Sequence, residues 1–133
     1  MWSLLEYFPE EFRINILDIG AALNEQPPYQ SLVNAGRAKI IGFEPNLEEC
    51  ERLKQCYGEP HCFFPYFVGD GRSAIFHETN WVLTGSLYEP NSPLLEKFQN
   101  LAELVTPVGK HPVNTTRLDD IDEISDVDFV KID

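Results

Sequence analysis

Two short apolar runs dominate the first third of the chain, and each of them reaches a carboxylate near its end. Ile14–Gly20 reads Ile-Asn-Ile-Leu-Asp-Ile-Gly, and Lys39–Pro45 reads Lys-Ile-Ile-Gly-Phe-Glu-Pro. Continuous β-branched runs without polar alternation predict strands that are buried on both faces, as in a parallel sheet. The roughly twenty residues between the runs are enough for one crossover helix and its loops. The pattern therefore predicts a βαβ unit.

Further periodicities predict the remaining elements of an α/β chain with one domain over residues 1–133. Helices are predicted over residues 2–12, from Pro27-Pro28 to Gly36, over Leu47–Tyr57 with Asn46 as N-cap, and over Leu94–Val105. Strands are predicted over His61–Val68, Ser73–Glu78, Val113–Leu118 and Val127–Asp133, with a hairpin turn at Asp70-Gly71 and a short turn or helix from Asp119 to Ile124. The last strand is apolar on both faces, which predicts that it is buried inside the sheet.

Composition and charge exclude several classes of function. The chain is 43% hydrophobic, which is enough for a core, and no apolar run approaches the roughly 18 residues of a membrane span. The first residues lack the basic and apolar regions of a signal peptide. A formal charge of −12 repels a nucleic-acid backbone, although it does not repel a cationic small molecule.

The cysteines and histidines do not indicate a metal site. Cys50, Cys56 and Cys62 are an odd number of thiols at spacings that do not fit a zinc knuckle. We expect them to be reduced packing residues of a cytoplasmic protein. The three histidines are scattered along the chain without a metal-ligand spacing, so no metal is predicted.

The candidate chemistry lies where the first two predicted strands end. Because parallel strands end at the same edge of a sheet, Gly20 and Glu44 are expected to lie close together. Gly20 allows a sharp turn where a side chain would block a ligand. Glu44 is placed to accept hydrogen bonds from the vicinal hydroxyls of a ribose. The sequence therefore predicts a nucleoside-binding half-sheet.

The loop after the first strand favours S-adenosylmethionine over a dinucleotide. A dinucleotide site has the fingerprint G-x-G-x-x-G/A, whereas Gly20–Glu25 reads Gly-Ala-Ala-Leu-Asn-Glu. Pro27 and Pro28 also remove two N–H donors that a pyrophosphate could use. S-adenosylmethionine has no phosphate, and its sulfonium cation tolerates a nearby carboxylate such as Asp18.

Four motifs in order resemble those of the FkbM-type methyltransferases. They are Ile16–Ala21, Ile41–Asn46, Thr116–Asp120 and Asp128–Asp133, so the resemblance runs from about Ile14 to the last residue. It implies a Rossmann-like class I methyltransferase sheet with helices on both faces. It also implies S-adenosyl-L-methionine as cofactor and O-methylation of a sugar or another small-molecule hydroxyl.

The resemblance also implies roles for individual residues. The residues implied to bind the cofactor are Asp18, Gly20, Ala21, Glu44, Pro45, Asn46 and Asp70, and Asp133 is implied as a catalytic or acceptor-binding acid. Structural alternatives stay open for several of them. Asp18 could tie down backbone amides, Asn46 could only cap a helix, and Asp70 could only form a hairpin turn. Gly20 could be a plain strand-to-helix turn, and Glu44 could be a solvated strand end. Arg117 and Asp119 are expected to form a structural ion pair.

The sequence departs from the family pattern at two places. The family usually has Asn-x-Gly after Asp-Ile-Gly-Ala, where this chain has Ala22-Leu23-Asn24. It also continues past Lys-Ile-Asp, so we expect a sheet that stops after its fourth parallel strand, a last strand whose one bare edge leads the chain to self-associate, and no turnover of an acceptor. A non-catalytic nucleoside-binding or structural module and a dinucleotide-binding oxidoreductase are the alternative functions.

Overall fold

The computed structural model describes residues 7–23 and 26–133. Residues 2–6 of the helix predicted over residues 2–12 fall outside the described residues, as do Asn24 and Glu25 of the first loop, and over residues 7–12 the predicted α-helix was wrong. In the described part of that predicted helix, the Phe12 N–H donates to the Pro9 carbonyl at 3.0 Å, and the chain then enters the first strand.

The described chain contains seven strands and four α-helices. In order they are β1 (Ile14–Ile19), α1 (Gln30–Asn34), β2 (Ala38–Phe43), α2 (Leu47–Tyr57), β3 (Cys62–Phe64), β4 (Phe67–Val68), β5 (Ser73–Thr79), α3 (Ser92–Leu95), α4 (Leu101–Leu104), β6 (Pro107–Thr116) and β7 (Phe129–Ile132). Two short 3-10 turns lie at Val82–Thr84 and Leu118–Asp120. Among the described helices, none has the length and apolar character that a membrane crossing requires.

The elements form two compact units. The first unit contains the described residues up to Val68 together with Arg117–Asp133, and the second contains Gly69–Thr116. The organisation of residues 1–133 as one domain stays a prediction.

The first unit is built on a parallel sheet with the strand order β3-β2-β1-β7. β1 pairs in parallel with both β2 and β7, and β2 pairs in parallel with β3. The βαβ unit and the Rossmann-like α/β fold class with four parallel strands are therefore confirmed.

Both faces of the central strands are covered, which explains their continuous apolar sequence. On one face, Ile16 and Ile40 pack with Cys50 and Leu53 of α2 and with residues of α1. On the other face, the core is completed by Ile121 and its neighbours, which follow the 3-10 turn at Leu118–Asp120. Among the described residues, this second face is covered by that turn and its flanking chain.

Gly42 allows β2 and β3 to approach closely. It lies opposite Phe63 in the ladder, and a Cβ at this position would meet the Phe63 ring at 2.5 Å and the Ala21 Cβ at 3.3 Å. A methyl group would therefore displace either the ring or the loop that follows β1.

The first crossover helix is shorter than predicted, and the second agrees with the prediction. α1 begins at Gln30 because a residue before proline avoids the helical region, so Pro27 cannot start a helix ahead of Pro28. Gly36 closes the helical segment at φ +66° as predicted. α2 has the predicted bounds, and the Asn46 side chain caps it by accepting from the Glu49 N–H at 3.0 Å.

Three other predicted elements were wrong in extent. The strand predicted over His61–Val68 is two strands, β3 and β4, because Pro65 between them lacks an N–H to continue a ladder. The helix predicted over Leu94–Val105 is divided into α3 and α4, since Asn100 adopts a left-handed conformation with φ +64°.

The strand predicted over Val113–Leu118 is the ten-residue β6, which starts earlier. β6 pairs with β5 in an antiparallel ladder from Ser73↔Asn114 to Thr79↔Pro107. The sequence pattern did not predict the first part of β6, because it contains Pro107, Gly109 and Pro112, and these residue types are uncommon inside strands. Asp70-Gly71 forms a turn that leads into β5, and the strand that pairs with β5 comes later in the chain, so the hairpin alternative for Asp70-Gly71 was wrong.

β7 is a strand as predicted, but its predicted burial was wrong. Phe129 is 42% exposed, Val130 47% and Ile132 70%, because β7 pairs with β1 on one side and forms an edge of the described sheet. The self-association of the chain through this strand stays a prediction.

Candidate functional site

The ladder registers bring three of the predicted site residues to one edge of the sheet. Ile19 of β1 lies opposite Phe43 of β2 and opposite Ile132 of β7. Gly20, Glu44 and Asp133 each follow one of these positions, so they form a row across three neighbouring strand ends. Adjacent strands lie about 4.8 Å apart, which is a spacing that one small molecule can span.

Gly20 makes the turn out of β1 in a conformation that suits only glycine. Its φ is +82°, and a Cβ there would lie 3.2 Å from the Asp133 Cβ. The N–H groups of Gly20 and Ala21 both donate to the Phe43 carbonyl, at 3.0 and 3.1 Å. Ala21 itself is buried in the core. Two amides of the predicted cofactor loop are therefore already engaged by the protein.

Glu49 holds a third amide of the same loop. The Leu23 N–H donates to Glu49 Oε1 at 3.1 Å, and Glu49 Oε2 pairs with Arg52 at 2.8 Å. Sequence reasoning missed this contact. The available signal was Asn46-Leu-Glu-Glu49, which has the spacing of a capping box, although here the glutamate turns to the loop instead of to the N-cap.

Glu44 is partly engaged and keeps one oxygen available. Its Oε1 accepts from the Asn46 N–H at 2.7 Å, across Pro45, while Asn46 also caps α2. Within the described residues, Glu44 Oε2 has no hydrogen-bond partner. Burial raises the pKa of Glu44, the Asn46 bond lowers it and the charge of Glu49 raises it, with a net rise.

Asp18 is buried, and both of its carboxylate oxygens are bonded by side chains. The Tyr29 hydroxyl donates to Oδ2, and Lys131 Nζ lies 3.1 Å from Oδ1. Burial and the bond to Asp18 raise the pKa of Tyr29, which keeps its hydroxyl protonated. Asp18 thus links β1 to β7 and to the residue that precedes α1. This contact set fits the structural alternative for Asp18, although the ties are to side chains and not to amides.

Lys131 joins Asp18 to Asp133. Its Nζ lies 2.5 Å from Asp133 Oδ2 and 3.4 Å from the Gly20 carbonyl oxygen. Burial disfavours the ammonium form, but the bonds to Asp133 and Asp18 outweigh it and raise the pKa of Lys131. Sequence reasoning missed both Lys131 and Tyr29. A lysine inside the apolar run Phe-Val-Lys-Ile-Asp was the signal that could have found the first.

Asp70 belongs to the second unit and organises its own turn. Its Oδ1 accepts from the Arg72 N–H at 3.0 Å, and its Oδ2 lies 3.5 Å from Arg72 Nε. Its role in cofactor binding stays a prediction. The predicted ion pair between Arg117 and Asp119 is present at 3.1 Å and is exposed.

Among the described residues, the candidate site is marked neither by a cluster of metal ligands nor by the cavity beside α1 and α2. In the part of the chain that the structure describes, no three or more His, Cys, Asp or Glu residues are grouped for a metal ion. A cavity of about 560 Å³ lies beside α1 and α2, with Gln30, Asn34, Tyr57 and His61 in its wall. None of the predicted site residues lines it. We place the site at the strand ends because the candidate ligand groups converge there.

A four-stranded parallel sheet flanked by helices, with a glycine turn after β1 and an acid after β2, is consistent with a Rossmann-like methyltransferase fold. The sequence model of the FkbM methyltransferase domain matches residues 18–133. The protein belongs to this family, which confirms the resemblance seen in its motifs. No curated protein and no solved structure matches the chain.

Proposed function

We propose that the chain binds S-adenosyl-L-methionine along the row of Gly20, Glu44 and Asp133 and transfers its methyl group to a hydroxyl of a sugar or another small molecule. The observation that carries the proposal is the register, which aligns these three residues at one sheet edge. Family membership supports the reaction class.

The chemistry of the donor groups fits this cofactor better than a dinucleotide. The open oxygen of Glu44 is suited to a ribose hydroxyl. The amides of Gly20, Ala21 and Leu23 already donate to protein oxygens, so they offer little to a pyrophosphate. The acids of the edge suit a sulfonium cation and would repel phosphate.

The donor, when bound, supplies an activated methyl group on a sulfonium. The contribution of the protein is then alignment of the acceptor oxygen with that carbon. Asp133, with a side chain 55% exposed, is positioned at the edge to orient the acceptor hydroxyl and to accept the proton that this hydroxyl loses when the methyl group moves from sulfur to oxygen. Lys131 holds this carboxylate in place.

A cytoplasmic location is part of the proposal. All three cysteines are free thiols, and one of them is buried in the core between the sheet and α2. Free thiols are typical of a reducing compartment.

Titration calorimetry with S-adenosylhomocysteine and with NAD tests the cofactor assignment. We expect the first ligand to bind and NAD not to bind. Gly20→Val is expected to abolish binding, and Gly36→Val is the matched control because Gly36 also has positive φ but has no atom within 4 Å of its Cβ position. Binding of NAD alone, or normal binding by Gly20→Val, would overturn the assignment.

Incubation with isotopically labelled donor and a panel of sugars tests the reaction. A transferase labels a sugar, whereas a non-catalytic nucleoside-binding module binds the donor and labels none. The Asp133→Asn variant serves as the low-activity control in the same assay.

A further inference from the structure

Lys131 places one positive charge between two carboxylates at the sheet edge. It lies opposite Asp18 in the ladder between β1 and β7, and it is two residues before Asp133 on the same face of the strand. Its Nζ bonds one oxygen of each acid, at 3.1 and 2.5 Å. Asp18, Lys131 and Asp133 therefore form a continuous charged row, which we call the Lys131 row.

The Lys131 row carries a net charge of −1, since it has two carboxylates and one ammonium. The Asp18 side chain is 4% exposed and that of Lys131 is 15% exposed, whereas that of Asp133 is 55% exposed. The Tyr29 hydroxyl on Asp18 adds no charge. The open end of the row is therefore the Asp133 carboxylate, which lies against Gly20.

The position of this charge relative to a bound nucleoside follows from the strand order. Glu44 ends β2, Gly20 follows β1 and Asp133 follows β7, in that spatial order. In the proposed binding mode, the ribose lies on Glu44 and its 5′ substituent extends across the end of β1. The sulfur is then about one strand spacing from the ribose, next to the open end of the Lys131 row.

We propose that Lys131 and Asp133 set the preference of this site for the cationic methyl donor over its neutral product, S-adenosylhomocysteine. The inference rests on the proposed function, because it takes the donor to lie along this edge. Donor and product differ by one methyl group and one positive charge. The interaction energy of two charges a few ångströms apart lies between its value in water and its value in a protein interior when one of them is partly exposed. For a carboxylate beside the sulfonium, this energy changes the affinity by about tenfold.

Two substitutions at the Lys131 row change this preference in opposite directions. Asp133→Asn removes the exposed negative charge, so the affinity ratio of donor to product falls about tenfold. Lys131→Met removes the positive charge that lies beside the Asp133 carboxylate, so the same ratio rises. A residue that only stabilised the fold would weaken both ligands by the same factor and leave the ratio unchanged.

The test is titration calorimetry of the full chain with S-adenosylmethionine and S-adenosylhomocysteine, at low salt and at about 0.5 M salt, where screening shortens the range of exposed charges. Asp119→Asn is the control, because it removes the same charge from an exposed surface pair. We expect opposite ratio changes in the two variants, no change in the control, and smaller changes at high salt.

An unchanged ratio in Asp133→Asn would overturn the inference while leaving the proposed function intact, provided that the wild-type chain binds both ligands. A wild-type chain that binds neither ligand would overturn both. If Lys131→Met does not fold, the Asp133→Asn ratio and its salt dependence decide the question alone.

Discussion

Asp18 and Glu44 both lie near the ends of neighbouring strands, Asp18 inside β1 opposite Gly42 and Glu44 just after β2, but their surroundings differ. Asp18 is 3% exposed, and both of its oxygens are bonded by Tyr29 and Lys131. Glu44 is half-buried, and one of its oxygens accepts only the Asn46 N–H. In the sequence the two acids look alike, since each ends an apolar run.

The difference separates an acid that stabilises the sheet edge from one that is available to a ligand. A carboxylate with a buried lysine partner is costly to disturb, because the partner charge would be left without compensation. A carboxylate with an open oxygen can accept a new hydrogen bond at little structural cost. We therefore expect substitutions at the two positions to divide cleanly between stability and affinity.

The largest effect is expected for Asp18→Asn. It removes the buried negative charge that pairs with Lys131 and weakens the Tyr29 contact, so the free energy of unfolding should fall by about 3 kcal/mol. This value is at the low end for a broken buried ion pair, because Lys131 still pairs with Asp133. Urea denaturation followed by circular dichroism measures it. Asp119→Asn, in an exposed pair, should cost less than about 1 kcal/mol. Equal losses in the two variants would contradict the structural role of Asp18.

Glu44→Gln should act on affinity instead of stability. A hydrogen bond to a charged group is worth about 1.5–3 kcal/mol, so loss of the charge should weaken S-adenosylhomocysteine binding by about tenfold or more. Calorimetry measures the dissociation constant, and Glu48→Gln at an exposed position of α2 is the control. An unchanged dissociation constant would contradict the assignment of Glu44 to the ribose hydroxyls.

Asn46→Ala should separate the helix cap from the ligand site. The side chain that caps α2 is lost, which typically costs about 1 kcal/mol, while the backbone N–H that bonds Glu44 is kept. We expect a lower thermal midpoint with a dissociation constant within about twofold of wild type. A loss of affinity as large as that of Glu44→Gln would show that Asn46 contacts the ligand itself.

The smallest effect is the pH dependence contributed by Glu44. Its pKa is raised above the ordinary value of 4.5, chiefly by burial, so the folded state holds this proton at a pH where the unfolded state has released it. The contribution of Glu44 to stability therefore falls as pH rises from about 4.5 through the folded pKa, and the charged form that binds a diol increases over the same window. Glu44→Gln should remove this slope, as measured by denaturation from pH 4 to about pH 8. A Glu44→Gln curve parallel to that of wild type would contradict the assignment.

The comparison of Asp18 with Glu44 also shows how much of the fold and of the candidate site could be predicted from the sequence. The paired apolar runs were sufficient to predict β1, β2 and the shared edge of Gly20 and Glu44, because strand burial and parallel pairing follow from local pattern. The partners of Asp18 could not be predicted, since Lys131 is 113 residues away and only the ladder register brings it opposite. The helix break at Asn100 could not be predicted either, because a single asparagine with a left-handed backbone does not interrupt the apolar periodicity around it.

Gly42 has a consequence for how the chain finds its strand alignment during folding. It is the β2 residue opposite Phe63, and the ring fills the space that a side chain would take. A slip of β3 by one position would force Phe63 against Ile41 or Phe43, where no such space exists, and would turn its ring to the opposite face of the sheet. The space left by the missing side chain is therefore compatible with one register of the two strands and incompatible with the neighbouring registers. A saturation library at position 42 should return glycine alone among well-expressed clones.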